Sequence, residues 1–225
     1  MAFRFSSRIA VYGTLLVAAL VGAWFAYDHF YGMPSGPSLP EDPPRPTISP
    51  EAGALNDRAI DGMSDPDNAV RLLDQAIALE PAYDVAYGNK ARILVANRKY
   101  KEAEACFDKL TALRPRAAEY YVGHAYCLQR LGRGQEARGR LLYAISAYNL
   151  RLKDQPFHAR LGRAMVIFLL GKERLAQQEI DEAEKYCPDS DYRRMVSGVR
   201  EMIRQAPQDD PWAALGLEDS GGPPR

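Results

Sequence analysis

The sequence predicts an all-α protein in which pairs of helices stack as an α-solenoid. Prolines, tyrosines and alanines recur at a constant interval along the chain, as Pro81 and Pro115 do. Apolar residues such as Ala103, Phe107 and Leu110 follow the spacing of one helix face. Strand-like alternation is nearly absent. Because one helical hairpin cannot cover its own apolar face, neighbouring hairpins must stack and share a core.

The composition is that of an ordinary globular chain. The 225 residues include 29 Lys plus Arg and 29 Asp plus Glu, which gives a formal net charge of zero, with 26% charged and 47% hydrophobic residues. These proportions exclude a wholly disordered chain, a collagen-like repeat and a disulfide scaffold. A neutral chain has no overall attraction for nucleic acid, and we expect no nucleic-acid partner.

The N-terminal region predicts a single transmembrane helix. Residues 9–27 carry no charge, and as a helix they would cover roughly 28 Å, about the thickness of the hydrocarbon core. Arg4 and Arg8 precede this segment and the next cation is Arg45, so the positive-inside rule leaves residues 1–8 in the cytoplasm. The rest of the chain would then lie in the periplasm, at the outer face of a bacterial-type inner membrane.

Two other interpretations of this segment stay open. A cleaved signal peptide would use the same basic start, with Val21-Gly22-Ala23 as its cleavage site, and an organellar presequence is the third alternative. Apolar residues continue through Trp24 to Tyr27, which gives the segment the length of a span and favours a retained anchor.

A proline-rich linker follows the apolar segment. Residues 28–50 contain seven prolines: Pro34, Pro37, Pro40, Pro43, Pro44, Pro46 and Pro50. Proline fixes φ and lacks an amide donor, which disfavours both a helix and a central strand. We interpret the linker as a semi-extended spacer that holds the following domain off the bilayer.

Residues 51–188 contain about four repeats, the first of which is degenerate. Four series of equivalent residues share one 34-residue spacing: Tyr87 and Tyr121; Ala91 and Ala125; Ala69, Ala103 and Ala137; Leu73, Phe107 and Leu141. A later copy, with Ala164, Ala176 and Ile180, returns after a 39-residue interval. The longer interval indicates either a bend or longer helices near residues 149–155. Gly132 and Gly171 fall between paired helices, where a residue with positive φ ends a helix.

This pattern resembles the tetratricopeptide repeat family, whose 34-residue unit carries aromatic, small, alanine, aromatic and proline positions. The best copy reads Tyr87, Ala91, Leu94, Ala103, Phe107 and Pro115. Three copies depart from the family at its leucine position, which holds Lys90, His124 and Arg163. The resemblance implies paired helices, of which the first helices line a concave groove that binds protein.

In this register the groove wall consists of first-helix residues from three successive repeats. The candidate partner-binding residues are Val85, Asn89, Arg92, Glu119, Gly123, Tyr126, Arg130, His158, Gly162 and Met165. A mixed apolar and polar wall suits an extended or helical peptide, and its glycines would let the peptide backbone approach closely. The lysine clamp of the family's chaperone-binding members is missing, so we exclude that specialisation.

The C-terminal region predicts a helix and a tail. Residues 189–206 form an amphipathic pattern that would cover the last repeat. Residues 207–225 are acidic and rich in Gly and Pro, which predicts a flexible tail. For its one apolar stretch, around Trp212, we favour a loosely ordered segment over one that docks on a partner or on the solenoid.

The sequence contains no evident catalytic, cofactor-binding or metal-binding site, and we predict that the chain is not an enzyme. His124 and Cys127 fall short of the four ligands of a zinc site. Phosphate-loop and nucleophile-elbow sequences are absent. Cys106, Cys127 and Cys187 favour buried free thiols, while a disulfide between Cys106 and Cys127 stays open.

Charge is unevenly distributed along the repeats. Cations dominate from Arg114 to Arg174, whereas the first repeat is acidic. A basic face of this kind would attract an acidic partner segment or anionic lipid headgroups. A merely solvated face is the equal alternative.

The sequence therefore predicts a membrane-anchored adaptor for a protein or peptide partner. By analogy with anchored repeat proteins, its process would be cell-envelope assembly, secretion or cytochrome maturation. Tethering would raise the local concentration of the groove, so that weak contacts suffice. The alternative is a structural, non-catalytic subunit that is packed permanently into a larger membrane complex.

Overall fold

The computed structural model describes residues 32–207 and 210–215. The predicted transmembrane segment, residues 9–27, lies outside these residues, as do residues 1–8 and the last part of the tail. None of the described helices is long and apolar enough to cross a membrane. The helices described below belong to one structural unit that begins at Ser35.

Nine α-helices and no strand occur in the described part of the chain, so the prediction of an all-α repeat fold is confirmed there. The helices are α1 (Pro50–Asp61), α2 (Pro66–Leu79), α3 (Asp84–Ala96), α4 (Tyr100–Leu113), α5 (Ala118–Arg130), α6 (Gly134–Arg151), α7 (Pro156–Leu169), α8 (Glu173–Glu184) and α9 (Ser190–Gln205). From α1 to α8, each odd-numbered helix packs most extensively on the helix that follows it. The result is four helix pairs.

The alanines of the repeat pattern lie inside this stack. All of the following are 0% exposed: Ala69, Ala91, Ala103, Ala125, Ala137, Ala164 and Ala176. Because the interior is close-packed, a larger side chain at these points would push the helices apart. Between the alanines lie larger apolar residues such as Leu94 and Leu128, each 1% exposed. Burial of one such side chain contributes about 1.5–3 kcal/mol.

Residues in the left-handed region close the first helix of three pairs. Gly132 and Gly171 have φ values of +76° and +79°, in agreement with the prediction from their place between paired helices. Arg98, which occupies the position of Gly132 in the preceding repeat, has a φ of +57°. In all three turns the next amide donates to the carbonyl five residues back, at 2.9–3.1 Å. This bond is typical of a helix that ends in a left-handed residue.

A longer helix accounts for the 39-residue interval. The second helix α6 has 18 residues, against 14 in its counterpart α4. Of the two alternatives, a bend or longer helices, the structure has the longer helix. Pro156 then begins α7, since proline is well tolerated in the first turn of a helix.

From Gly36 onward the proline-rich segment lies against the helices, whereas the sequence predicts a semi-extended spacer for residues 28–50. Residues 28–31 lie outside the described part of the chain. Gly36 is so close to α6 that an added Cβ would stand 1.8 Å from the carbonyl oxygen of Leu142. The Leu39 side chain packs against the main core. From Gly36 to α1 the segment is therefore a strap, by which name we refer to residues 36–49.

Two arginines that follow α4 hold the strap. Arg114 donates from Nη1 to the Pro43 carbonyl at 2.7 Å and from Nε to Asp84 at 2.5 Å. The backbone amide of Arg116 donates to Asp42 at 2.7 Å. Because prolines prevent helix and sheet pairing, the carbonyl groups of the strap need other hydrogen-bond donors. The guanidinium groups of Arg114 and Arg116 donate to the carbonyls of Pro43 and Pro40, respectively.

Helix α9 covers the last helix pair. Its N-cap, Asp189, accepts hydrogen bonds from the amides of Asp191 and Tyr192. Val196 and Ile203 are buried in the main core, and α9 packs on both α7 and α8. The C-terminal helix thus closes the apolar surface that α7 and α8 would otherwise expose.

Candidate functional site

The first helices of three successive pairs, α3, α5 and α7, line one groove with a volume of about 700 Å³. Seven of the ten predicted residues line it: Val85, Asn89, Arg92, Glu119, Gly123, Gly162 and Met165. The sequence did not identify its other members, which are Met63, Gly88, Ile93, Val95, Ala96, Phe107, Tyr120, Val122, Tyr148, Val166 and Leu215.

The groove is mostly apolar, and part of its apolar surface is open to solvent. Val85 and Met63 are 45% and 43% exposed, although both are large hydrophobic side chains. An exposed apolar surface in a concave site is typical of a place where another molecule binds.

The polar groups of the groove are held by neighbours. Asn89 Nδ2 donates to Asn56 Oδ1 at 2.9 Å. Arg151 donates to both carboxylate oxygens of Glu119, at 2.6 and 3.2 Å. Burial lowers the pKa of Arg151, but the hydrogen bond to Glu119 and the negative charges of Glu119 and Asp42 together outweigh burial, so the net pKa is raised. None of these groups is a nucleophile next to a base. They can instead orient a bound peptide by hydrogen bonds.

His158 lies beyond the groove, in an adjoining cavity of about 310 Å³ that it shares with Met195 and Val199 of α9. Its ring makes an edge contact with Tyr192 at a centroid distance of 5.7 Å. Four residues line both spaces: Glu119, Tyr148, Gly162 and Met165. The smaller cavity therefore continues the groove towards α9.

The two predicted groove glycines seat aromatic rings of the protein itself. A Cβ at Gly123 would stand 2.3 Å from Cζ of Phe107, and one at Gly162 would stand 2.4 Å from Cζ of Tyr148. The interpretation that these glycines leave room for a ligand backbone was wrong, because the ring of the preceding second helix occupies that room. The sequence contains a signal for this arrangement: Phe107 and Tyr148, large aromatic residues of second helices, are each followed by a glycine in the next first helix.

Tyr126 and Arg130, which we predicted on the groove wall, are covered by the tail. A short 3₁₀ helix, Pro211–Leu215, lies over the end of α5, and Trp212 is only 6% exposed. Tyr126 is 1% exposed, and Arg130 pairs with Asp210 at 2.8 Å. For residues 210–215 the structure thus differs from the loosely ordered tail, because burial of the Trp212 ring offsets the ordering of the segment.

The three polar residues at the family's leucine position have partners in second helices. Lys90 pairs with Asp74 of α2, and Arg163 pairs with Glu179 of α8 at 2.6 Å. His124 is 1% exposed and lies 3.9 Å from Glu104 of α4. Burial, aided by the positive charge of Arg140, lowers the pKa of His124 to about 4. These residues belong to the stack and not to the groove.

The three cysteines are free, so the structure favours the free-thiol alternative over a disulfide between Cys106 and Cys127. Burial raises the pKa of Cys106 to about 11 and that of Cys127 to about 12. Neither side chain is a thiolate at neutral pH, so neither is a good nucleophile. Within residues 32–207 and 210–215, no group of three or more His, Cys, Asp or Glu residues is arranged to hold a metal ion.

Comparison with known families agrees with this architecture. Residues 62–125 match the family model of the tetratricopeptide repeat, which confirms the resemblance found in the sequence. The matched segment contains α2, α3, α4 and the first part of α5, and so includes the groove-lining residues of α3 and α5. No curated protein matches the chain.

Proposed function

We propose that the tetratricopeptide repeats of this chain form a scaffold that binds a segment of a partner protein in the groove between α3, α5 and α7. One observation carries the proposal: three successive first helices line a continuous, mainly apolar groove of about 700 Å³. Its size and its apolar lining suit side chains of an extended or helical peptide. Repeats of this family are typically non-catalytic scaffolds, and the proposal assigns no reaction to the chain.

The proposal extends to the membrane through the sequence of the N-terminal region. Residues 9–27 would anchor the chain in the inner membrane as a single span, with the repeats in the periplasm. An anchored groove meets membrane-proximal partners at a raised effective concentration. The scaffold would then serve cell-envelope protein assembly, secretion or cytochrome maturation.

Membrane anchoring can be tested separately from binding. We expect the full chain to stay in the membrane fraction after alkaline extraction. We also expect a phosphatase fused after Arg225 to be active, because the phosphatase used is active only when it is exported. Release of the whole chain by alkali, or an inactive fusion, would count against the anchor and leave the groove proposal unaffected.

The groove itself can be tested with two matched crosslinking positions. Val85 and Leu79 are 45% and 46% exposed, but only Val85 lines the groove. With a photoreactive residue at each position in cells, we expect capture of a partner at position 85 and not at position 79. Equal capture at both positions would overturn the proposal.

A variant that fills the groove provides a second test of partner binding. A side chain added at Gly88 meets no atom within 4 Å of its Cβ, so Gly88→Phe would occupy the groove without disturbing the stack. We expect this variant to lose the crosslink from position 85 and to keep its melting temperature. A partner that co-purifies in fixed proportion with Gly88→Phe would favour the structural-subunit alternative instead.

A further inference from the structure

The tail segment Asp210–Leu215 is seated on the face that the groove presents to a partner. Trp212 contacts Tyr126 of α5, with ring centroids 6.4 Å apart. Leu215, at the end of the segment, lines the groove itself. The segment also contacts α7, so it lies across two of the three groove helices.

Arg130 of α5 contacts both Asp210 of the segment and Tyr126, the ring on which Trp212 packs. Arg130 Nη1 lies 2.8 Å from Asp210 Oδ2, and the two side chains are 22% and 35% exposed. The same guanidinium lies over the Tyr126 ring, 5.1 Å from its centroid. A carboxylate at position 210 and an indole at position 212 are therefore held by adjacent groups on one helix face.

The repeat register shows that this face is equivalent to open groove. Tyr126 and Arg130 occupy the positions that Arg92 and Ala96 hold in the preceding repeat. Arg92 and Ala96 line the open part of the groove on α3. The tail thus covers on α5 the positions that are uncovered on α3, as a bound peptide would.

We propose that Asp210–Leu215 occupies in cis the site at which the groove takes its partner, and that the partner is an acidic, aromatic polypeptide segment. Its recognised features are a carboxylate, a large aromatic two positions later and an aliphatic residue three positions after that. This inference rests on the proposed function and names its class of partner. The partner displaces the tail when it binds.

Charge and ring contacts favour a polypeptide over an anionic lipid headgroup. A headgroup would satisfy Arg130, but it offers nothing that fits the buried Trp212 position, which is 6% exposed when the indole fills it. The character of the tail also explains why displacement is feasible. Its ion pair is partly solvated, and the ordering of this short segment costs conformational entropy that is regained when the segment is released.

The test uses a labelled peptide with the sequence of residues 207–217, Pro-Gln-Asp-Asp-Pro-Trp-Ala-Ala-Leu-Gly-Leu, and fluorescence anisotropy with the full chain. We expect the peptide to bind the Asp210→Ala/Trp212→Ala double variant at least tenfold more tightly than the wild type, whose own tail competes. Equal affinity for the two chains, or no binding to either, would overturn the inference.

Two controls show that the peptide uses the observed contacts. Arg130→Glu in the double variant should weaken binding at least tenfold, whereas Arg138→Glu, an exposed charge reversal on α6, should not. Peptides with the Trp or the second Asp replaced by Ala should bind at least tenfold more weakly, a result that requires no change to the protein. Unchanged affinity in these peptides would also overturn the inference.

The outcomes separate this inference from the proposed function. If position 85 captures a partner but the peptide does not bind, the groove proposal stands and the identification of the partner class fails. If the wild type forms dimers that Trp212→Ala abolishes, the tail binds a second copy, and the assignment of the site to a separate partner is overturned.

Discussion

The ring of Tyr148 lies directly over Gly162, so that a Cβ built on Gly162 would stand 2.4 Å from Tyr148 Cζ. The same relationship joins Phe107 and Gly123, where the distance is 2.3 Å. Both rings come from second helices and both glycines from the first helices that follow. The groove is therefore lined by rings that reach between the first helices, and each ring requires a glycine beneath it.

Replacement of Gly162 by Ala should destabilise the protein, because the new methyl group collides with the Tyr148 ring. Overpacking of this kind costs about 1–3 kcal/mol, which chemical denaturation would measure. Gly139→Ala is the matched control: it lies within α6, and its added Cβ meets nothing within 4 Å. There the gain in helix propensity should stabilise by about 0.5–1 kcal/mol. If the two variants change stability alike, the ring contact does not constrain Gly162.

Removal of one partner from the buried ion pair of Arg163 and Glu179 should destabilise the protein more than replacement of both partners by leucine. Their side chains are 9% and 4% exposed and lie 2.6 Å apart. Glu179→Gln leaves a buried guanidinium without its charge partner and should cost about 3–5 kcal/mol, whereas Arg163→Leu/Glu179→Leu removes both charges and should cost less. Arg160, which is 22% exposed and also contacts Glu179, loses this partner in both variants. Denaturation of Arg163→Leu, Glu179→Leu and the double variant gives the coupling energy of the pair. Additive effects of the two substitutions would contradict a coupled pair.

The repeat period made the stack predictable. A fixed spacing gives equivalent residues the same place in successive helix pairs: Ala91 and Ala125, which the sequence identifies as equivalent, are both 0% exposed. The same register places a polar residue such as Arg163 at a leucine position, but it does not show that Glu179 lies opposite, because the approach of two side chains depends on how the helices cross.

Contacts outside the period were not predictable. The bond between Arg114 and Pro43 joins residues 71 apart, and that between Arg130 and Asp210 joins residues 80 apart. Neither Pro43 nor Asp210 belongs to a repeat, so no pattern relates them to the helices. Composition correctly indicated that the described parts of these two segments lack long regular helices, yet it could not show that the strap lies along the stack or that the tail covers Tyr126.

The turn at Arg98 should be improved by glycine. Arg98 has a φ of +57°, and the equivalent residue in the next repeat is Gly132. A side chain in the left-handed region costs about 1–2 kcal/mol, so Arg98→Gly should raise the free energy of unfolding by about 1 kcal/mol after the entropy cost of glycine is deducted. Gly132→Ala, the reverse change in the equivalent turn, should lower the free energy of unfolding by a similar amount. A destabilised Arg98→Gly variant would show that the side chain contributes more than its backbone strain costs.

The stability of the protein should fall between pH 6.5 and pH 4 because of His124. Burial lowers its folded-state pKa to about 4 from an ordinary value of 6.5, with Arg140 and Arg133 opposing the charged form and Asp108 and Glu104 favouring it. In this window the unfolded chain binds a proton that the folded chain does not, so acid favours unfolding; below about pH 4 both states are protonated and the effect levels off.

His124→Leu provides the measurement of this effect. The substitution restores the family's residue in a site that is 1% exposed, and it removes the titrating group. The loss of unfolding free energy from pH 7 to pH 4 should be smaller in the variant, by on the order of 3 kcal/mol for a pKa that folding lowers from 6.5 to about 4. Urea titrations at closely spaced pH values would resolve the difference. Parallel stability curves for the wild type and His124→Leu would mean that the folded protein takes up a proton at His124 as readily as the unfolded chain does.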